Sequence, residues 1–140
     1  MRRSQRGSAA LEFAIIAPGV LALVALIIFA GRFALAQMSV NAAAASAARA
    51  ASIERSASSA KSSAQAMATR ILASEDLSCA TVHVNTDTSG FKVDVGMAAS
   101  VTTTVRCDVN LSGLSVIGVP GTMTLSADAT SPLDTYRARQ

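Results

Sequence analysis

The sequence predicts an α+β chain in which a long N-terminal membrane-spanning helix continues into an Ala-rich helix, followed by a small antiparallel β-sheet of three or four strands. Three observations predict it. Residues 13–30 contain no charged or strongly polar side chain. Residues 33–77 are dominated by Ala, Ser, Arg and Gln, with neither Pro nor Gly among them. From Ser78 onward the composition changes to β-branched residues that alternate with polar ones.

Each element follows in chain order. At a rise of about 1.5 Å per residue, the 18 uncharged positions reach ~27 Å, close to the ~30 Å of bilayer hydrocarbon. Residues 13–30 can therefore span a membrane, within an expected transmembrane helix over residues 8–31. Ahead of it stand Arg2, Arg3 and Arg6 with no acid between them. The positive-inside bias keeps that short end in the cytoplasm and exports everything after Arg32. The expected location is a cytoplasmic membrane crossed once, with the C-terminal domain outside.

Residues 32–77 read as one extended helix, because nothing in them breaks a helical pattern. Between Val40 and Met67 only Ile53 is a large aliphatic residue, so a conventional apolar stripe is missing. Alanine must do the packing. The run Asn41-Ala42-Ala43-Ala44-Ala45-Ser46-Ala47-Ala48 permits close approach of another helix or a sheet, either in a bundle of copies or on the protein's own body.

Residues 78–131 form the exported β domain. Cys79-Ala80-Thr81-Val82-His83-Val84-Asn85 fits a half-buried strand, and Asn85-Thr86-Asp87-Thr88-Ser89-Gly90 fits a turn. The alternation in Phe91-Lys92-Val93-Asp94-Val95 then predicts a hairpin over residues 80–95, with Gly96 at its end or in a bulge. Val101, Val105, Cys107 and Val109 share one parity, hence one face, and Cys107 points to the core. A loop through Gly113, Gly118 and Pro120-Gly121 leads into residues 122–129, whose apolar members fall at odd positions. Pro132 ends regular structure, and residues 132–140 are a short tail.

Composition excludes several functions. The formal charge is +3, but three of the twelve basic residues precede the membrane segment and the rest are scattered without interleaved aromatics, which argues against nucleic acid. The exported part has one His, few acids and no G-x-S-x-G or H-E-x-x-H motif, so neither an enzyme, a cofactor, a metal site nor a small-molecule substrate is expected. His83 reads as an ordinary strand residue. Asn110-Leu111-Ser112 matches a glycosylation acceptor pattern too short to weigh. Cys79 and Cys107 are the only cysteines, and an even pair in an exported segment reads as a disulfide. Its closed loop of about 29 residues would contribute ~3.6 kcal/mol on the chain-entropy relation.

Glu12 is the informative residue. A carboxylate costs up to ~2.5–3.5 kcal/mol at the centre of a membrane helix and less near an end. Physics alone allows both a functional acid and one that reaches the head groups beside a helix N-terminus. Its surroundings, Arg2-Arg3-x-x-Arg6-Gly7 and then Ser8-Ala9-Ala10-Leu11-Glu12-Phe13, resemble the leader of type IV pilin-like proteins, with Glu as fifth mature residue. The fuller run to Ala17-Pro18, with Gly31-Arg32 closing the apolar segment, resembles the TadE-like family of tight-adherence (Tad/Flp) pilus assembly proteins. The resemblance covers residues 6–32 and is echoed weakly in residues 131–137.

That resemblance implies a pilin-like fold and a structural role as a minor pilin or pseudopilin that initiates or builds a pilus for adhesion. It implies that residues 1–7 are a leader removed by a prepilin peptidase between Gly7 and Ser8. Implied partners are that peptidase, the major Flp-type pilin, other minor pilins, the Tad inner-membrane platform and membrane lipid. Glu12, followed by Phe13, becomes an intersubunit charge partner for the new Ser8 amine. Pro18-Gly19 lies inside the helix, where a kink or a tolerated membrane proline are both expected.

Two rivals use the same residues. Ala34-Leu35-Ala36 is an A-x-A site, and cleavage after Ala36 would release a soluble secreted domain, although the apolar segment exceeds the usual 7–15 residues of a signal peptide. An uncleaved signal anchor would leave Glu12 as a snorkelling carboxylate. Twin-arginine export is disfavoured, since Arg2-Arg3 lacks the apolar residues that follow in such signals.

Overall fold

The computed structural model describes residues 6–75, 77–110, 122–136 and 138, and the side chains of residues 6–11 and 110 lie outside that description. The chain divides into two units, Met1–Leu35 and Ala36–Gln140. Its elements are α1 (Arg6–Ser52), α2 (Ala57–Ser74), β1 (Cys79–Asp87), β2 (Ser100–Asn110) and β3 (Thr122–Pro132), with a 3-10 turn over Ser89–Lys92. The fold is α+β, as expected, with three antiparallel strands in the order β1-β2-β3.

The expected single helix over residues 33–77 is corrected to two. α1 ends at Ser52 and α2 begins after Ser56, whose extended backbone and side chain form an N-cap, the Ser59 N–H donating to Ser56 Oγ at 3.2 Å. Glu54 strengthens the corner by accepting from Ser63 Oγ at 2.6 Å, which holds an acid at the start of α2. The physical reason for the break is burial. Val40, Ala43, Ala44, Ala47, Ala48 and Ala51 form one buried helical stripe, and Ala60, Ala64, Ala68 and Leu72 form a second. Only a reversal between them turns both stripes onto the same sheet.

The two stripes join Val101, Val105, Cys107, Leu125 and Ala127 in one core. The small alanines thus pack on the protein's own body, one of the two outcomes the composition allows. α1 follows β3. Gln37 Nε2 donates to the Ser126 carbonyl at 3.0 Å, and Ser52 Oγ hydrogen-bonds Ser131 Oγ at 3.0 Å fifteen residues later.

Strand parity decides which face is buried. Val101, Thr103, Val105 and Cys107 of β2 are buried, as are Leu125 and Ala127 of β3, and the register pairs Cys107 with Leu125 and Val105 with Ala127. Thr103 is accommodated because its hydroxyl donates to buried Thr86 Oγ1 at 3.3 Å across the strands. Intervening residues form a polar outer face.

The expected hairpin over residues 80–95 does not form. β1 pairs instead with β2, Val84 opposite Val105. Phe91 lies in the 3-10 turn and is buried, plugging the core from the side, while Val93 and Val95 are exposed. The alternation of residues 91–95 therefore reflects one anchored aromatic and not a pleat. Two glycines shape this connection. Gly96 has φ +96°, a left-handed conformation, and donates to the Thr135 carbonyl at 2.8 Å. At Gly90 a Cβ would lie 2.1 Å from the Ser100 carbonyl oxygen and 3.1 Å from Leu133 Cδ1. Gly90→Ala is expected to destabilise by about 1–3 kcal/mol, since backbone must move, which urea unfolding would show as a lowered midpoint.

Candidate functional site

The features that bear on function occupy the N-terminal half of α1, the disulfide and the outer face of the sheet. α1 is helical from Arg6, so Gly7 and Ser8 fall in its first turn, while residues 1–5 of the expected leader lie outside the described residues. Glu12 and Phe13 are exposed, Phe13 at 72%. Beyond them the helix is apolar on every side. Ile15, Ile16, Leu21, Leu23, Leu26, Ile27 and Ile28 are each more than half exposed. An 18-residue window within Glu12–Ser52 has a mean hydropathy of 2.8 and is 0% buried, and α1 is the one described helix long and apolar enough to cross a membrane.

Magnitudes show that such a surface cannot face water. Burying each large aliphatic or aromatic side chain is worth about 1.5–3 kcal/mol, and the exposed ones between Phe13 and Leu35 sum to tens of kcal/mol. A domain's whole stability is about 5–15 kcal/mol. Lipid or apolar helices must cover it. The helix passes unbroken through Pro18 and Gly19, and the space around Gly19 is open.

Cys79 and Cys107 form a disulfide with Cα atoms 5.4 Å apart. Its geometry depends on an irregularity that alternation alone does not reveal. By parity Cys79 would share the face of Thr81 and His83, yet Cys107 is buried. The register of β1 against β2 shifts between Cys79 and Thr81, and this bulge turns Cys79 to the inner side, where it meets Cys107. The loop through Gly113, Gly118 and Pro120-Gly121, like Leu111 and Ser112 of the acceptor pattern, lies outside the described residues.

On the outer face, β1 and β2 set His83 opposite Arg106 and Asn85 opposite Thr104. These four line a shallow depression of about 450 Å³. His83 is exposed there, on the polar face of its strand. Neither composition nor motif marks Arg106, because only the strand register brings it beside His83. Among the described residues no group of three His, Cys, Asp or Glu could hold a metal ion.

Comparison with known proteins adds one finding at the N-terminus. Residues 7–49 match the family model described as TadE-like protein, the family that residues 6–32 resemble. The match begins at Gly7, includes Glu12 and Pro18, and runs into the alanine stripe that packs on the sheet. This similarity links the segment to assembly of Tad pili. No curated protein and no solved structure matches the chain.

Proposed function

We propose that this chain is a minor pilin or pseudopilin of a Tad pilus system, held in the bacterial cytoplasmic membrane by residues 13–30 with its β domain exported. In this reading a prepilin peptidase cuts between Gly7 and Ser8, and the mature protein helps start or build the pilus beside the major Flp-type pilin and other minor pilins on the Tad inner-membrane platform. The observation that carries it is the coincidence of the TadE-like match at residues 7–49 with a bare apolar helix bearing one acid at its edge. The role is structural. Pro18-Gly19 serves as the point where the helix bends when it leaves the bilayer for a helical assembly, since Pro18 removes one backbone hydrogen bond.

Cleavage after Gly7 makes Ser8 the N-terminal ammonium and Glu12 the fifth residue. In a bundle interior each charge alone is costly, and at ~4 Å their attraction is about 4 kcal/mol at an effective dielectric of 20, before desolvation is subtracted. Only one axial stagger of neighbouring helices brings them together, so the pair selects register, as a buried polar residue does in a coiled coil.

Co-expression with a prepilin peptidase tests the processing step. The expected result is a mature chain beginning at Ser8 and lighter by about 0.9 kDa, the mass of a seven-residue leader. A native N-terminus at Met1 would instead establish an uncleaved anchor, and one at Gln37 a secreted domain.

A further inference from the structure

We propose that the outer face of the sheet carries a binding site for the sugar-acid residues of an acidic polysaccharide, built on Arg106, His83, Asn85, Thr104 and Asp128. Both helix stripes are packed on the opposite face, so this one is open. His83 and Arg106 are direct cross-strand neighbours, and so are Asn85 and Thr104, which makes a tile about 5 Å by 7 Å from strand and pleat spacing. Across the other edge of β2, Asp128 of β3 stands opposite Thr104 on the same face. The depression over the tile, about 450 Å³, is in the range of small-ligand clefts.

The disposition of charge distinguishes this tile from an ordinary solvated sheet face. Opposite charges placed across strands stabilise a sheet, yet β1 offers Arg106 an imidazole and not a carboxylate. The acid on the same face of β2 itself, Asp108, is engaged elsewhere. Its Oδ2 accepts from the Thr81 hydroxyl and its Oδ1 from the Thr124 hydroxyl at 2.5 Å, and these bonds, Thr124 first, hold its carboxyl below the usual carboxylate range. Among the described residues Arg106 has no ion pair and no side-chain hydrogen bond, so its planar fork of donors is available.

A carboxylate fits that fork bidentately. The other tile members call for more than a bare carboxylate: Asn85 and Thr104 both donate and accept, and Asp128 only accepts. A ligand that presents a carboxylate and hydroxyls side by side satisfies all of them. A plain anion would leave Asp128 repelling it. The chemistry selected is therefore a uronic acid within a polysaccharide, and the inference concerns the exported sheet whether or not the chain is processed at Gly7.

The test uses the full chain in detergent micelles at low salt, with polygalacturonate as probe and dextran and polyglutamate as comparators. Polygalacturonate is expected to bind, and dextran and polyglutamate to bind at least about tenfold more weakly, the difference that one charge-assisted hydrogen-bond pair supplies. Arg106→Gln should weaken polygalacturonate binding about tenfold or more, while Arg70→Gln, the same charge change on exposed α2, should leave it within about twofold. Asp128→Asn should weaken polygalacturonate binding but strengthen that of polyglutamate. Equal losses in the two arginine variants would reduce the effect to net charge, equal binding of polyglutamate would make the tile an acidic-peptide site, and no binding at all would remove it. Each of those results overturns the proposal.

Discussion

Glu12→Ala should leave membrane insertion and cleavage at Gly7 intact while reducing pilus assembly by two orders of magnitude or more. Insertion is driven by the apolar residues 13–30, and removal of an acid makes it easier. Assembly is different, because the variant buries the Ser8 ammonium without a counter-charge, a loss of about 3–5 kcal/mol for a broken buried pair. At 1.4 kcal/mol per factor of ten, that is at least a hundredfold. Ser8 and Glu12 lie one helical turn apart, so in the isolated chain the acid can neutralise its own amine. In the proposed assembly that internal pair is exchanged for one between neighbours, and Glu12→Gln, which keeps shape but not charge, should fail as alanine does. The measurement is shed pilus protein per cell together with the N-terminal sequence of the membrane-bound fraction. Normal piliation with correct processing would refute the register role.

Loss of the disulfide should have the second largest effect. Cys79→Ala, Cys107→Ala or reduction of the wild type is expected to lower the unfolding free energy of the β domain by about 3.6 kcal/mol in chain-entropy terms, a large fraction of what a small domain possesses. The core offers little to offset it. Among the described residues the ten buried positions of the two helices are Val40, eight alanines and Leu72, and alanine buries the least apolar surface of the aliphatic side chains. Urea titration of the full chain in detergent, with and without reductant, reads the difference as a shift in midpoint at similar slope. A shift equivalent to less than about 1 kcal/mol would show that the core suffices without the staple.

Some of this fold is legible in the residues and some is not, and the division has physical causes. The apolar helix is legible because eighteen positions agree, and β2 and β3 because their alternation survives intact in the sheet, with Val101, Val105, Leu125 and Ala127 all buried. The end of α1 is hidden because Ile53-Glu54-Arg55 has no Gly or Pro. The one local sign is Ser56, an N-cap residue among many serines. The β1 partner is hidden because a five-residue alternation cannot distinguish a strand from a turn that buries one aromatic, as Phe91 does. Cys79 could be paired with Cys107 by counting, but its inward aim rests on a bulge that no residue type near Ala80 announces. At the candidate sites the contrast is similar. Glu12 is conspicuous because its neighbours are apolar, whereas Arg106 gains meaning only from the strand register that sets it opposite His83.

The bulged cysteine has a mechanical consequence. β1 and β2 are joined at one end by the chain through the 3-10 turn and at the other by Cys79–Cys107, so the pair is a closed covalent ring. Antiparallel strands under load normally unzip bond by bond from a free end. This pair offers no such end, because a pull applied outside Cys79 and Cys107 runs through the disulfide and leaves the strand hydrogen bonds enclosed by the ring unloaded.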